Sequence, residues 1–149
     1  MYNRYQKVSQ VECSCIEELF NFHLDTQNLE KISHPSITTK VLTPQKNTQE
    51  GETIHYTTRR LFIPTVWEME VQAVEKPYRI VNIAKKSPFE YWKHSHSFQE
   101  KEYGIEWVDE IEFIPPLGIV GRFLEPVIIK ELDDIFEHRH KVTLELLKN

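Results

Sequence analysis

The sequence predicts an α+β fold in which a seven-stranded, curved antiparallel sheet packs around a long C-terminal helix, in the order β-α-α-β6-α. Two observations support this fold class. The segment from Pro126 to Leu147 is long enough for a helix of about 22 residues, and its apolar residues recur every three or four positions. Before it come β-rich segments whose aromatic residues need a cover on one face of a sheet.

The chain begins with a predicted strand from Tyr5 to Cys13, where residues of the two strand faces alternate. Ser14 is then a candidate N-cap for a short helix from about Cys15 to Leu24, with Glu17 in the capping-box position. A second short helix follows and ends at Pro35, because proline interrupts helical hydrogen bonding.

Further strands follow, and the turns between most of them are short. Such connections are typical of consecutive antiparallel hairpins. In one strand the pattern leaves open whether Val81 and Ile83 or Ile80, Asn82 and Ala84 form the inner face. The predicted strands are Ser36 to Thr43, Glu52 to Phe62, Thr65 to Glu75, Tyr78 to Lys86, Tyr91 to Glu100 and Ile105 to Ile114.

Length and charge narrow the function classes. The 149 residues suit one domain, 1–149, and the formal net charge of -5 argues against a nucleic acid as the main partner. The sequence has no apolar run as long as a membrane span and no signal-peptide core, so we expect a cytoplasmic protein. Cys13 and Cys15 are too close for a disulfide across so short a loop, and we expect two reduced thiols.

Several short motifs, together with the element order, carry a resemblance to a known superfamily. The motifs are Phe20–Asp25, Asn28–Leu29, Ile32–Ser33, Pro88–Phe89, Trp92–Phe98, Asp109 and Pro116–Gly118. They resemble the helix-grip fold of START-related and birch-pollen-allergen-like proteins, the polyketide cyclase and ligand-binding (SRPBCC) superfamily, and more narrowly its bacterial ligand-binding branch. The resemblance covers nearly the whole chain and implies a ligand cavity between the sheet and the last helix.

The last predicted hairpin brings polar and aromatic residues onto one face. A turn at residues 101–104 places His96 opposite Asp109, and both then point toward the helix. This pair is open to three interpretations: a satisfied internal hydrogen bond, a contact to a ligand, or a general acid–base pair. The other residues of this face are Trp92, His94, Phe98, Trp107, Ile111 and Phe113.

The third and fourth strands form a similar predicted hairpin. With Ile63–Pro64 as the turn, Arg60 faces Trp67, and the pairs Thr58–Met69 and Tyr56–Val71 follow. An inward arginine needs a partner, either an internal carboxylate such as Asp109 or an acidic group on a ligand. The sequence leaves both alternatives open, and it leaves open whether Arg59 points inward instead.

Other histidines give weaker signals. His94, His96 and Asp109 are residue types that could form a metal site. Zinc needs a further well-placed ligand, so we expect no metal. His138 and His140 diverge on a helix and cannot share an ion, and we expect them at surface and half-buried positions. His55 is expected on the solvent face of its strand, while the sequence shows no partner for His23 or His34.

These patterns favour a non-catalytic protein that binds a small, largely hydrophobic or aromatic molecule with an acidic or hydroxyl head. We expect no cofactor, and a monomer or weak dimer. Two alternatives stay open: a cyclase- or hydrolase-type enzyme using His96 and Asp109, and an interaction module that holds a protein partner through Leu117–Leu124. The predicted ligand contacts are Tyr56, Thr58, Arg60, Trp67, Met69, Trp92, His94, His96, Phe98, Trp107, Asp109, Ile111 and Phe113.

Overall fold

The computed structural model describes residues 2–12 and 15–148. Within them the predicted α+β order is confirmed, with a short extra helix before the long one. The elements are β1 (Asn3–Val11), α1 (Ile16–Leu24), α2 (Asn28–Lys31), β2 (Thr38–Val41), β3 (Thr53–Arg60), β4 (Ile63–Glu75), β5 (Arg79–Lys86), β6 (Tyr91–Lys101), β7 (Gly104–Ile114), α3 (Gly118–Phe123) and α4 (Glu125–Leu147).

The strands form one antiparallel sheet in the order β1-β7-β6-β5-β4-β3-β2. Strands β2 to β7 are neighbours in sequence and in space, as expected for consecutive hairpins. Strand β1 instead pairs with β7 over its whole length, from Asn3 opposite Phe113 to Val11 opposite Ile105. The first and second strands therefore lie at opposite edges of the sheet, and α1 and α2 connect them.

The predicted register of the last hairpin is confirmed. His96 pairs with Asp109, Phe98 with Trp107 and Trp92 with Phe113, about a turn at residues 102–103. Burial along β7 alternates strictly, with Trp107, Asp109 and Ile111 buried and the residues between them half-buried. This alternation shows that one face of the hairpin packs inside the protein.

The predicted register of the β3–β4 hairpin is wrong, although its face assignment holds. The two-residue turn is Leu61–Phe62, so Arg60 pairs with Ile63 and Tyr56 pairs with Trp67. Leu61 adopts a left-handed backbone conformation, with a φ angle of 56°. Tight hairpin turns need such positive φ angles, which non-glycine residues rarely adopt.

In β5 the inner face is the one that carries Ile80, Asn82 and Ala84. Ile80 packs in the core beside α1, Ala84 packs against the core beside α4, and Asn82 lies on the wall of a cavity. Strand β4 is irregular where it pairs with β5, with register shifts between Glu68 and Met69 and between Val71 and Ala73. Such bulges increase the local bend of a sheet.

The long helix packs through an inward stripe in which the predicted apolar residues Leu132 and Phe136 are buried and two polar residues are buried as well. Its buried residues are Leu132, Phe136, His140 and Thr143, spaced by four, four and three positions. Val127 and Leu146, two apolar residues near the ends of the helix, are exposed, although the apolar spacing predicts them on the inward face. The four buried residues span 11 positions over three turns, which matches the repeat of about 3.6 residues per turn of a straight α-helix, so His140 lies on the same inward face as Leu132 and Phe136.

Helix α4 is joined to β1 by polar contacts as well as by packing. The Tyr5 hydroxyl donates a hydrogen bond of 3.0 Å to Oδ1 of Asp133, and the Tyr5 ring lies 5.7 Å from that of Phe136. The Ser9 hydroxyl lies 2.6 Å from Nδ1 of His140. The first strand of the chain therefore holds the last helix against the sheet.

The predicted Ser14 cap and Cys13 lie outside the described residues, while Cys15 has a free, exposed thiol. The segment Leu117–Leu124 contains α3 and exposes several apolar side chains, including Ile119 and Phe123. None of the described helices is both long enough and apolar enough to cross a membrane.

Candidate functional site

A cavity of about 500 Å³ lies between the sheet and α4. Its lining comes from the inner faces of β3 to β6, from the α1–α2 segment and from one side of α4. The predicted contact residues that line it are Tyr56, Thr58, Arg60, Trp67, Met69, Trp92, His94 and His96. Further apolar lining comes from α4, through Ile128, Leu132, Ile135 and Phe136.

One wall of the cavity is a row of aromatic rings. The Tyr56 and Trp67 rings stack with their centroids 5.8 Å apart, and Trp67 meets Trp92 edge-on at 5.1 Å. Phe89, which precedes β6, continues the row at 4.8 Å from Trp92. The indole nitrogen of Trp67 donates to the Thr58 hydroxyl at 3.2 Å, so this large ring is fixed in orientation.

Five predicted contact residues do not line the cavity. Phe98 and Trp107 belong to a core cluster that α1 covers through Phe20, whose ring lies 6.0 Å from that of Phe98. Ile111, Phe113 and Asp109 are fully or almost fully buried behind the cavity wall. The helices and Phe89 occupy the space in front of them, which a pattern of strand faces alone does not reveal.

Asp109 is the centre of a buried cluster of histidines. Its Oδ1 lies 3.1 Å from Nε2 of His94 and 2.5 Å from Nδ1 of His96, and its Oδ2 lies 2.6 Å from Nε2 of His140. Two of these imidazoles come from β6 and the third from α4, so the carboxylate connects the sheet to the helix.

The expectation that His140 is at most half-buried is wrong. It is buried, and its ring stacks on Trp107 at 3.6 Å with an interplanar angle of 4°. His140 follows Phe136 by four residues and Leu132 by eight, so it continues the inward face of α4. This spacing is the sequence signal that indicates an inward histidine.

The hydrogen bonds determine which ring atoms carry protons. An ionised carboxylate only accepts, so Nε2 of both His94 and His140 donates to Asp109. Nδ1 of His140 forms a second hydrogen bond, with the Ser9 hydroxyl. A chain of hydrogen bonds therefore runs from Ser9 through His140 to Asp109 and His94.

Burial and the neighbouring charges set the ionisation of this cluster. Burial alone would raise the pKa of Asp109, but His96 and the hydrogen bonds from His140 and His94 lower that pKa well below its ordinary value. Burial, followed by the influence of the nearby His94, lowers the pKa of His96 to about 4. Burial also lowers the pKa of His94. At neutral pH the cluster therefore combines an anionic Asp109 with neutral His94 and His96.

His23, at the end of α1, packs against the same cluster. Its ring lies 4.8 Å from that of His96 and 4.9 Å from that of Trp107. Its Nδ1 lies 2.8 Å from the carbonyl oxygen of Leu19 and donates to it. Burial, followed by the influence of His96, lowers the pKa of His23 to about 3, so this ring too is neutral at pH 7.

The donor atoms of His94, His96 and Asp109 lie within 4.8 Å of one another, which is close enough for a shared metal ion. One nitrogen of each ring, Nε2 of His94 and Nδ1 of His96, already contacts the Asp109 carboxylate. A metal would therefore have to displace these contacts, since one nitrogen cannot donate a proton and a lone pair at once. The geometry is that of a hydrogen-bonded carboxylate.

Arg60 lies at the mouth of the cavity and forms an ion pair with Glu131 of α4. Its side chain is 51% exposed, so the partner is neither Asp109 nor a deeply buried group. Arg60 is the last residue of β3, next to the turn, which explains its position at the rim. Arg59 is exposed and lies on the opposite face of the strand.

Two other polar residues on the cavity wall were not predicted as contacts. Asn82 of β5 has a buried side-chain oxygen with no hydrogen-bond partner in the described part of the chain. Arg139 of α4 is half-buried, and its Nε is also buried without a partner there. Asn82 belongs to one of the two faces that the sequence left open for β5.

Comparisons with known proteins identify the fold. No protein-family model matches the chain, and no curated protein matches it. Among solved structures, protein CV1439 from Chromobacterium violaceum is 12% identical, with a TM-score of 0.78 over 99% of each chain. Major latex-like protein 151 from Panax ginseng is 8% identical, with a TM-score of 0.73 over 99% of each chain.

Ara h 8.0201 is similar as well, with 12% identity and a TM-score of 0.65 over 97% of this chain and 99% of that one. At such low identities the likeness shows a shared fold and no more. It agrees with the element order and with the resemblance that the sequence motifs carry. The chain therefore has the helix-grip fold of the birch-pollen-allergen-like proteins.

Proposed function

We propose that this protein binds a small, largely hydrophobic or aromatic ligand in the cavity between the sheet and α4. The observation that supports the proposal is the cavity itself, about 500 Å³ within a domain whose other sheet-facing residues are closely packed. Ligand sites are typically concave, mainly apolar, and equipped with a few convergent polar groups. The resemblance to a ligand-binding superfamily points the same way.

The lining indicates what such a ligand presents. Tyr56, Trp67 and Trp92 offer flat rings at one wall, while Leu132 and Ile135 offer aliphatic surface on the other. Rings of this kind favour stacked or edge-on contacts with an aromatic ligand. The polar groups are few, so they orient a ligand head while the apolar walls supply the larger part of the affinity.

The test is direct binding by the purified protein. Native mass spectrometry and calorimetry with a panel of lipids, quinones and aromatic acids should reveal at least one class that binds with one-to-one stoichiometry. An Ile135→Trp variant, which places a larger side chain in the cavity, should weaken binding at least about tenfold. Val8→Trp, on the exposed outer face of β1, is the matched control and should leave binding unchanged.

Absence of binding across the whole panel, together with a crystal structure whose interior is filled by side chains, would contradict the proposal. Equal weakening by Ile135→Trp and Val8→Trp would place the ligand outside the cavity.

A second candidate function is proton transfer on a bound substrate by the histidine cluster. What favours it is the position of His94 and His96 on the cavity wall, with the Asp109 carboxylate directly behind them. Against it stands the pKa of His96, which burial lowers to about 4, because a general base works best with a pKa near the working pH. We therefore favour binding without catalysis.

One variant, His96→Ala, distinguishes ligand binding alone from catalysis. If the protein is an enzyme, His96→Ala should abolish turnover while leaving ligand affinity largely intact. His55→Ala, on the exposed face of β3, is the control and should change neither quantity. Equal loss of affinity and turnover, or no turnover with any bound ligand, would favour the binding protein.

A further inference from the structure

The guanidinium of Arg139 lies at the cavity wall and forms no ion pair within the described part of the chain. It makes no hydrogen bond or ion pair with any residue in 2–12 or 15–148, and its Nε is completely buried. Burial lowers the pKa of Arg139, as expected for a charge removed from water. An arginine nevertheless stays protonated in proteins, so the group carries its charge at neutral pH.

Two carboxylates of the sheet and α4, Asp109 and Glu131, already have partners. The two oxygens of Asp109 contact three imidazoles, and Glu131 pairs with Arg60 at the rim. Among the described residues, the direct contact to the Arg139 charge is a cation–π contact, with Cζ 4.9 Å from the centre of the Phe136 ring, while the Asp109 carboxylate attracts this charge without forming an ion pair with it. Such a contact compensates only part of the lost hydration and satisfies none of the N–H donors.

A second polar group faces the same space. Tyr56 of β3 lines the cavity, and its hydroxyl has no hydrogen-bond partner among the described residues. Tyr56 and Arg139 lie close enough for each to influence the ionisation of the other across the cavity. The Arg139 guanidinium and the Tyr56 hydroxyl together offer several hydrogen-bond donors to the cavity, and neither forms an ion pair with a described residue.

We propose that Arg139, with the Tyr56 hydroxyl, binds the carboxylate of an amphipathic acid whose apolar part fills the cavity. This inference rests on the proposed ligand-binding function and names the class of ligand. A guanidinium and a carboxylate match as two parallel hydrogen bonds. One unpaired cation balances one negative charge, so a monoanionic carboxylate fits better than a phosphate dianion, which would leave a buried charge unpaired.

The experiment compares acids with the alcohols of the same skeleton. The probes are 4-butylbenzoic acid with 4-butylbenzyl alcohol, and decanoic acid with 1-decanol, so that the aromatic and fatty sources of a carboxylate are tested separately. The proteins are the wild type, Arg139→Met and Arg60→Met. Arg60→Met tests the rival anchor, because it removes the other guanidinium that lines the cavity, one that already has an internal partner at the rim.

Wild-type protein should bind at least one acid more tightly than its alcohol. Arg139→Met should weaken binding of that acid about 10- to 100-fold and change the affinity for the alcohol less than about threefold. Arg60→Met should keep the preference for the acid. Arg139→Lys keeps the charge without the fork and should bind the acid with intermediate affinity.

Each contrary outcome has a distinct meaning. Equal affinities of the wild type for acid and alcohol, or equal weakening of both by Arg139→Met, would overturn this inference and leave the proposed function standing. Loss of the acid preference in Arg60→Met instead of Arg139→Met would also overturn it. If neither the probes nor the broader panel bind to the wild type, the proposed function fails with it. Thermal melts of each variant show that the compared proteins are folded.

Discussion

Nε2 of His140 lies 2.6 Å from Oδ2 of Asp109, which joins the middle of the long helix to the inner face of the sheet. Both side chains are buried, and the other nitrogen of His140 is satisfied by Ser9. The helix is therefore held by a hydrogen bond to a buried charge, which contributes more to stability than one between neutral groups.

Removal of the His140 imidazole should destabilise the protein strongly. His140→Ala leaves a carboxylate oxygen buried without its donor and should lower the free energy of unfolding by about 2–4 kcal/mol. Urea denaturation measures this change. The control is His138→Ala on the same helix, half-buried and expected to change stability by about 0.5 kcal/mol. Similar losses in the two variants would show that the contact with Asp109 adds little.

Stability should decrease in mild acid because of the neutral buried histidines. An unfolded histidine has a pKa of about 6.5, whereas burial lowers the folded pKa of His23 to about 3 and that of His96 to about 4. Between these values the unfolded chain binds more protons than the folded one. The free energy of unfolding should therefore fall as the pH drops below about 6.5, by up to about 1.4 kcal/mol per pH unit for each such histidine.

The measurement is urea unfolding at a series of pH values from 7.5 to 5. His23→Phe removes one of these titrating groups. In a plot of the free energy of unfolding against pH, the slope for this variant should therefore be smaller by an amount that corresponds to about one proton. The lowered pKa of Asp109 adds a further loss, but only below about pH 4, where an unfolded carboxylate takes up its proton. A free energy of unfolding that is constant from pH 7.5 to 5 would contradict the neutral, buried state of these rings.

Replacement of Arg139 by an apolar residue should stabilise the ligand-free protein. Arg139→Met removes a half-buried cation whose Nε has no hydrogen-bond partner among the described residues, and we expect a gain of about 1–3 kcal/mol in the free energy of unfolding. Urea denaturation of the wild type and of the variant measures this gain in the free energy of unfolding. Arg122→Met, on exposed α3, serves as the control and should have an effect within about 0.5 kcal/mol. A loss of stability in Arg139→Met would mean that the guanidinium is already satisfied in the free protein.

Gly104, at the start of β7, should not tolerate a side chain. Its φ angle is +137°, and an added Cβ would lie 2.2 Å from the carbonyl oxygen of Val11 on the neighbouring strand. Gly104→Ala should therefore lower the free energy of unfolding by about 3–5 kcal/mol. Gly51→Ala separates the effect of the positive φ angle from the effect of the clash, since Gly51 also has a positive φ angle but open space around it. We expect it to lower stability by about 1–2 kcal/mol, and equal losses would contradict the clash.

The sequence predicts the parts of this fold that depend on local periodicity. Strict alternation in β6 and β7 and a short polar turn determine that His96 lies opposite Asp109, as the structure shows. The β3–β4 register could not be obtained in the same way. Its turn uses Leu61 with a positive φ angle, which sequence rules reserve mainly for glycine and asparagine, so Ile63–Pro64 is the more turn-like pair.

The site depends on how α4 is rotated and where it crosses the sheet, and that information is not local. His140 and Arg139 are adjacent in sequence, yet one contacts Asp109 and the other lines the cavity. Asp109 lies many residues away on β7, and the cavity that Arg139 lines is built from several strands, so the helix pattern alone cannot show what each residue meets. The spacing from Phe136 indicates an inward direction for both, but not their partners.

The attachment of α4 to the sheet is unequal at its two sides. At the β1 side, Tyr5 bonds Asp133 and Ser9 bonds His140, the latter beside a fully buried charge. At the β3 side, the polar link within the described residues is Arg60 with Glu131, a largely exposed ion pair of the kind that contributes about 0–1 kcal/mol. The polar contacts of α4 are therefore stronger at its β1 side than at its β3 side. Separation of α4 from the sheet should therefore cost less free energy beside Arg60 than beside Tyr5, so the cavity should open more readily at the Arg60 side.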